Sequence, residues 1–154
     1  MARKIATNRT VKRDELVSFV QERHRGVLST TRIDGRPQMS LVTIGLDDEE
    51  RFLVATYPER VKMLNARRNP RASLLVMGDE FNSEWVQVNG TLEVLDLPEA
   101  LEPLCDYFRV ISGEHPDWVE YREAMIKQGK SLLRMSMESW SPISQGGFPA
   151  RLAD

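Results

Sequence analysis

Asp34-Gly35 lies between two stretches, Gly26 to Thr31 and Arg36 to Leu46, that are rich in Val, Ile, Leu and Thr. An Asp-Gly pair between such runs is the strongest short-range signal for a tight antiparallel hairpin, since glycine tolerates the positive φ the turn demands. Further strands are expected at Phe52 to Ala55, Ala72 to Met77 and Trp85 to Leu95. Another is expected where Leu133, Met135 and Met137 alternate with Arg134, Ser136 and Glu138. Asn89-Gly90 interrupts the Trp85 to Leu95 run and reads either as a hairpin turn or as a glycine bulge in one bent strand. Consecutive strands without regular helix alternation exclude a doubly wound parallel sheet and point to an α+β fold with an antiparallel sheet or barrel.

Four helical patterns flank these strands. Val11 to Arg25 carries Leu16, Phe19 and Val20 at helical spacing, with Gly26 as its stop. A short helix follows Phe52 to Ala55, with Pro58 suited to its first position, and Asn69-Pro70 ends it. Pro98 opens a segment with Leu101, Leu104, Cys105 and Phe108 on one face, closed by Gly113, and Pro116 to Gln128 repeats the pattern with Trp118, Tyr121 and Met125. At 154 residues the chain suits one domain, with about 1–10 and 141–154 as terminal tails.

Between Phe52 and Val76 the charges are unevenly placed. Arg60 and Lys62 fall in the first turn of the short helix, where the macrodipole disfavours cations unless an anion shares the place. Arg67 and Arg68 fall in its last turn, where positive charge is favoured without a ligand. The first pair is therefore shaped for a phosphate.

Other chemistries lack support. His24 and His115 are the only histidines and neither has metal-ligand spacing to another candidate ligand, so no metal site is expected. There is no nucleophile elbow, P-loop or Rossmann fingerprint. No catalytic side chain stands out, which assigns any reactive atom to a bound cofactor. A formal net charge of -2 gives no global nucleic-acid footprint. Met1 to Lys4 is not followed by an apolar signal region, no run approaches membrane-spanning length, and Cys105 has no intramolecular partner, so a cytoplasmic protein is expected.

Gly35-Arg36-Pro37-Gln38-Met39-Ser40, the TYPERVKMLNARRNPRASLLV segment, Gly90-Thr91, the GEHPDW segment at Gly113 to Trp118 and Leu132-Leu133 form an ordered series covering roughly Val11 to Trp140. With it the chain resembles the split β-barrel flavin and deazaflavin oxidoreductases related to pyridoxamine 5′-phosphate oxidase, most of all their actinobacterial deazaflavin-dependent branch. The resemblance implies a six-stranded antiparallel split β-barrel with flanking helices, in which Asn89-Gly90 is a bulge. It also implies a homodimer with two cofactor sites at the interface. Arg60 and Lys62 would bind the cofactor phosphate, Gln38, Met39, Ala55 and Thr56 would meet the ring system, and Trp85 would come from the partner subunit. Leu41 stands where relatives can carry a polar Asn, and would line the pocket. Trp118, Tyr121 and Met125 are expected to pack a helix on the barrel.

The activity this implies is hydride transfer from reduced coenzyme F420, a deazaflavin, to a small electron-poor organic acceptor. An FMN-binding oxidase-like protein would use the same cations. A non-catalytic cofactor-binding dimer is a third reading, and nucleic-acid binding through Arg60 to Arg71 a fourth. No nucleic-acid or membrane partner is expected.

Overall fold

The computed structural model describes residues 2–154. It contains ten strands: β1 (Thr7–Arg9), β2 (Arg25–Thr31), β3 (Pro37–Thr43), β4 (Gly45–Leu46), β5 (Phe52–Thr56), β6 (Arg71–Met77), β7 (Trp85–Leu95), β8 (Ser131–Met135), β9 (Ser139–Trp140) and β10 (Ile143–Gln145). Four helices accompany them: α1 (Arg13–Val20), α2 (Val61–Arg68), α3 (Leu101–Ser112) and α4 (Trp118–Gln128). The hairpin forms as expected, with Gly35 at φ 85° and Thr31 opposite Pro37.

The main path of the sheet runs β3-β2-β6-β7-β8-β5-β4, every pairing antiparallel. Its two ends belong to one stretch of chain. β3 passes through the fully buried Ile44 into β4, so the sheet curls round and meets itself through a single kinked strand. This is the six-stranded split barrel, with β3 and β4 counted as one. The split follows from the pairing: β4 bonds to β5 at Gly45↔Leu53, but β3 does not continue that ladder. Thr43 and Ala55 would form the next like pair, and the Tyr107 hydroxyl from α3 comes between them, donating to Thr43 O at 2.9 Å. Beyond that point β3 and β5 face each other with unbonded edges.

Alternation along the strands sorts side chains into two cores. Phe52 and Val54 join Leu28, Leu74, Val76, Val86 and Val88 inside the barrel. Leu53 and Leu132 face the other way, against Leu104, Cys105, Tyr121 and Met125 of the α3–α4 pair. The helix pair is thus packed on the barrel as the periodicity implied, and Tyr121 Oη donates to Leu104 O at 2.9 Å.

Several local expectations change. The first helix is shorter than the apolar pattern, and Gly26 does not stop it. Gly26 lies inside β2, where a Cβ would sit 2.8 Å from Leu75 O, so close strand approach requires the glycine. Pro58 precedes α2 and occupies the turn closed by Arg60 N–H to Tyr57 O. Asn89-Gly90 is neither a hairpin nor a bulge of its own strand, because β7 stays in register with β6 from Trp85 to Thr91. The extra residue is on the returning strand: between Leu92↔Met135 and Asn89↔Ser139, residues 136–138 oppose only Gly90 and Thr91. A Cβ on Gly90 would lie 1.8 Å from Ser136 O, which is what fixes glycine there. The terminal segments are not loose tails, since β1 pairs with β10 and Ser144 of β10 stands opposite Trp85.

Candidate functional site

α2 begins at an N-cap, Arg60, in extended conformation, which makes Lys62 the second helical residue. Met63 and Ala66 anchor the helix in the barrel core. Its four cations divide as the dipole argument requires. Arg67 is held by Asp96 at 2.7 Å. Arg68 donates to Thr31 O at 2.6 Å and to Asn65 Oδ1 at 2.9 Å. Arg60 and Lys62 have no carboxylate partner among the described residues. Burial, and then the Arg60 charge, holds the Lys62 pKa below the usual lysine range.

Sequence reasoning missed the surroundings of this pair. Tyr57 leads from β5 into the turn before α2, and its ring lies 5.8 Å from the Arg60 guanidinium carbon. The Lys130 ammonium lies 4.2 Å from the same ring centroid and 3.2 Å from the Tyr57 hydroxyl. That hydroxyl donates to Gln128 Oε1 at 3.2 Å. Thr56 is paired with Ser131, so Tyr57 and Lys130 are the next positions beyond the end of the ladder.

Gln38 reaches α2 through a buried relay. Thr30 Oγ1 donates to Gln38 Oε1 at 3.1 Å and accepts from Asn65 Nδ2 at 3.1 Å. Asn65 is only 4% exposed. An asparagine in the middle of a short helix, where its side chain competes with the backbone, was the available signal for this relay. Beside it a cleft of about 590 Å³ opens between the hairpin turn and α2, with Ile33, Gln38, Val61, Leu64 and Asn65 in its walls. Arg60 and Lys62 do not line it.

The remaining expected residues divide by face. Met39 and Leu41 alternate with Gln38 and point to the outer face of β3, highly exposed. Leu41 therefore does not line the Gln38 side, and Met39 could join Gln38 at one ligand only through its backbone. Thr56 is buried on the barrel side of β5, while Ala55 turns towards the α3–α4 cluster and its backbone hydrogen-bonds the Tyr107 hydroxyl. Trp85 is not brought to the others. It stands opposite Met77, which aligns with Arg25, whereas Gln38 aligns with Thr30. Five residues of β2 separate those ranks, about 17 Å at strand rise. The larger cavity of about 770 Å³ is at Trp85, bordered by Leu75, Met77 and Phe81, and is distinct from the cation pair.

His24 Nδ1 lies 2.9 Å from Ile44 O and His115 Nδ1 accepts from Asp117 N–H, both local structural contacts. No cluster of metal-ligating side chains occurs among the described residues. No helix among them is long and apolar enough to cross a membrane.

Solved structures with this fold include a conserved hypothetical protein of Mycobacterium tuberculosis (TM-score 0.73, 22% identity, covering 91% of this chain and 89% of that one). A FAD-binding protein of Mesorhizobium loti superposes with TM-score 0.66 at 20% identity, over 92% and 98% of the two chains. An F420 reductase does so with TM-score 0.61 at 18% identity, over 81% and 94%. The pyridoxamine 5'-phosphate oxidase profile matches residues 13–144, nearly the whole barrel, and the chain belongs to that family.

Proposed function

We propose that this chain binds reduced coenzyme F420 and serves as an F420-dependent oxidoreductase acting on a small electron-poor organic acceptor. The observation that carries the reading is the unpaired Arg60–Lys62 couple at the start of α2, beside two helix-mates that are fully engaged. Those cations suit the cofactor phosphate. The open β3 edge brings the Met39 backbone to the heterocycle, Ala55 adds what its bond to the Tyr107 hydroxyl leaves free, and Gln38, held by Thr30 and by its own bond to Met39 O, adds an oriented amide. When bound, the deazaflavin supplies the hydride; the protein holds the ring, orients the acceptor and excludes water.

A homodimer fits the same reading. Trp85 is too far along the sheet to reach the Gln38 rank of its own protomer, and a second copy would supply it. The outer face of β3 also presents Leu41 and Met39, 85% and 64% exposed, an apolar patch suited to cover by that copy. FMN is the alternative ligand, since its phosphate would meet the same cations and a FAD-binding protein shares the fold.

Equilibrium binding of F420 and FMN to the purified protein, with Lys62→Ala as control, tests this. Preference for F420 that is lost in the variant is the expected result. Preference for FMN would move the chemistry to flavin redox, and binding of neither would overturn the cofactor assignment.

A further inference from the structure

Lys130 has a place in the fold but no charge partner. It follows Gly129, the left-handed cap of α4, and its own N–H bonds back to Met125 O, so its backbone position is fixed by the helix ending. The α4 C-terminus favours a cation, and the Tyr57 ring offers it a face. Neither contact neutralises it, and no carboxylate reaches it among the described residues. A half-buried lysine has forfeited part of its hydration, and a ring quadrupole returns less than an anion would.

The same ring carries Arg60. Arg60 and Lys130 are thus no farther apart than their two distances to the Tyr57 centroid allow, and Lys62 follows Arg60 by two residues. Beyond one end of the β5–β8 ladder, Arg60 from the α2 start and Lys130 from the α4 exit share the Tyr57 ring, Lys62 lies close enough to Arg60 to feel its charge, and none of the three has an acidic partner among the described residues. Two of them are half-buried, which singles the corner out from a solvated basic surface.

We infer that Lys130 is the third cation of the ligand-phosphate site and that Tyr57 holds it in position for that role. The inference rests on the phosphate reading of Arg60 and Lys62 and narrows it: the ligand carries at least two negative charges at this corner, as a phosphate monoester dianion does or as a phosphodiester with a neighbouring carboxylate does. It also makes the α4–β8 junction part of the binding site.

The test titrates wild type, Lys130→Gln and Lys130→Arg with inorganic pyrophosphate and with FMN by calorimetry, and measures urea midpoints for all three. The expected result is about tenfold weaker binding of both anions by Lys130→Gln, with the midpoint unchanged and most affinity restored by Lys130→Arg. Affinities within twofold of wild type in Lys130→Gln would overturn the assignment. A lowered midpoint that accounts for the loss, or failure of wild type to bind pyrophosphate at millimolar concentration, would do so as well. If pyrophosphate binds with this pattern while F420 and FMN do not, the cofactor reading fails and the three-cation site stands.

Discussion

The Tyr107 hydroxyl donates to Thr43 O at 2.9 Å, at the position where β3 would otherwise continue its pairing with β5 through Ala55. Burial raises the phenol pKa, partly opposed by hydrogen bonding from the Ala55 backbone, so the group stays protonated and keeps both strand edges satisfied. A side chain from a flanking helix thereby ends one ladder and opens the split. Tyr107→Phe leaves the Thr43 carbonyl without its donor and the Ala55 backbone without its partner. The expected cost is about 1 kcal/mol in urea unfolding, with faster amide exchange at Ala55. An unchanged midpoint would show that the edges re-pair and that the hydroxyl does not define the split.

Gly90 is the second position where the barrel leaves no room. Gly90→Ala puts a methyl group on the Ser136 carbonyl, and the obstacle is backbone. The residues at 136–138 would have to shift, for about 3 kcal/mol. For a domain of this size that lowers the melting temperature by roughly 6–12 °C. Calorimetric scanning of the variant against wild type checks it, and Gly35→Ala, where nothing lies near the new Cβ, calibrates the separate cost of positive φ.

Much of the architecture was legible because it depends on local signals. The Asp34-Gly35 turn, the apolar runs of β6 and β7, the alternation in β8 and the apolar stripes of α3 and α4 each report on neighbours a few residues away. The Arg60–Lys62 pair was legible for the same reason, since a helix dipole is local. What stayed hidden depends on register between distant strands. Nothing near Asn89 tells that the extra residue belongs to residues 136–138, and nothing near Gly129 tells that Lys130 will lie on Tyr57. Met39 and Gln38 looked equivalent as neighbours, and only the pleat of β3 separates their faces. Gly26 and Pro58 misled because both residue types serve several backbone roles, and the choice among them is tertiary.

Asn65 links the helix that bears the cations to the strand that bears Gln38. Its amide donates to Thr30 and its carbonyl accepts from Arg68, inside the protein. Asn65→Ala leaves Thr30 without that donor and Arg68 with Thr31 O as its remaining acceptor, and should cost about 2 kcal/mol. Asn65→Asp should be worse if it buries a charge, unless Arg68 compensates. Chemical denaturation of both variants distinguishes these, and a cost below ~0.5 kcal/mol for Asn65→Ala would show that the relay contributes nothing to holding α2 on β2.

Lys62 gives the site a pH signature. Its pKa in the folded protein lies below the unfolded value near 10.5, so the unfolded chain binds the extra proton more readily between the two. The destabilisation is fully present below the folded pKa and is relieved as pH rises through the window up to about 10.5. A bound phosphate reverses the preference, because the anion favours the charged ammonium. Anion affinity should therefore be greatest below the folded pKa of Lys62 and fall as pH rises through it, earlier than an ordinary lysine would require. Lys62→Arg keeps its charge throughout and should hold its affinity across the same window. Pyrophosphate titrations from pH 7 to 10 on wild type and Lys62→Arg read this directly. Parallel profiles for the two proteins would show that Lys62 does not touch the anion, and would leave Arg60 as the cation at the start of α2 that does.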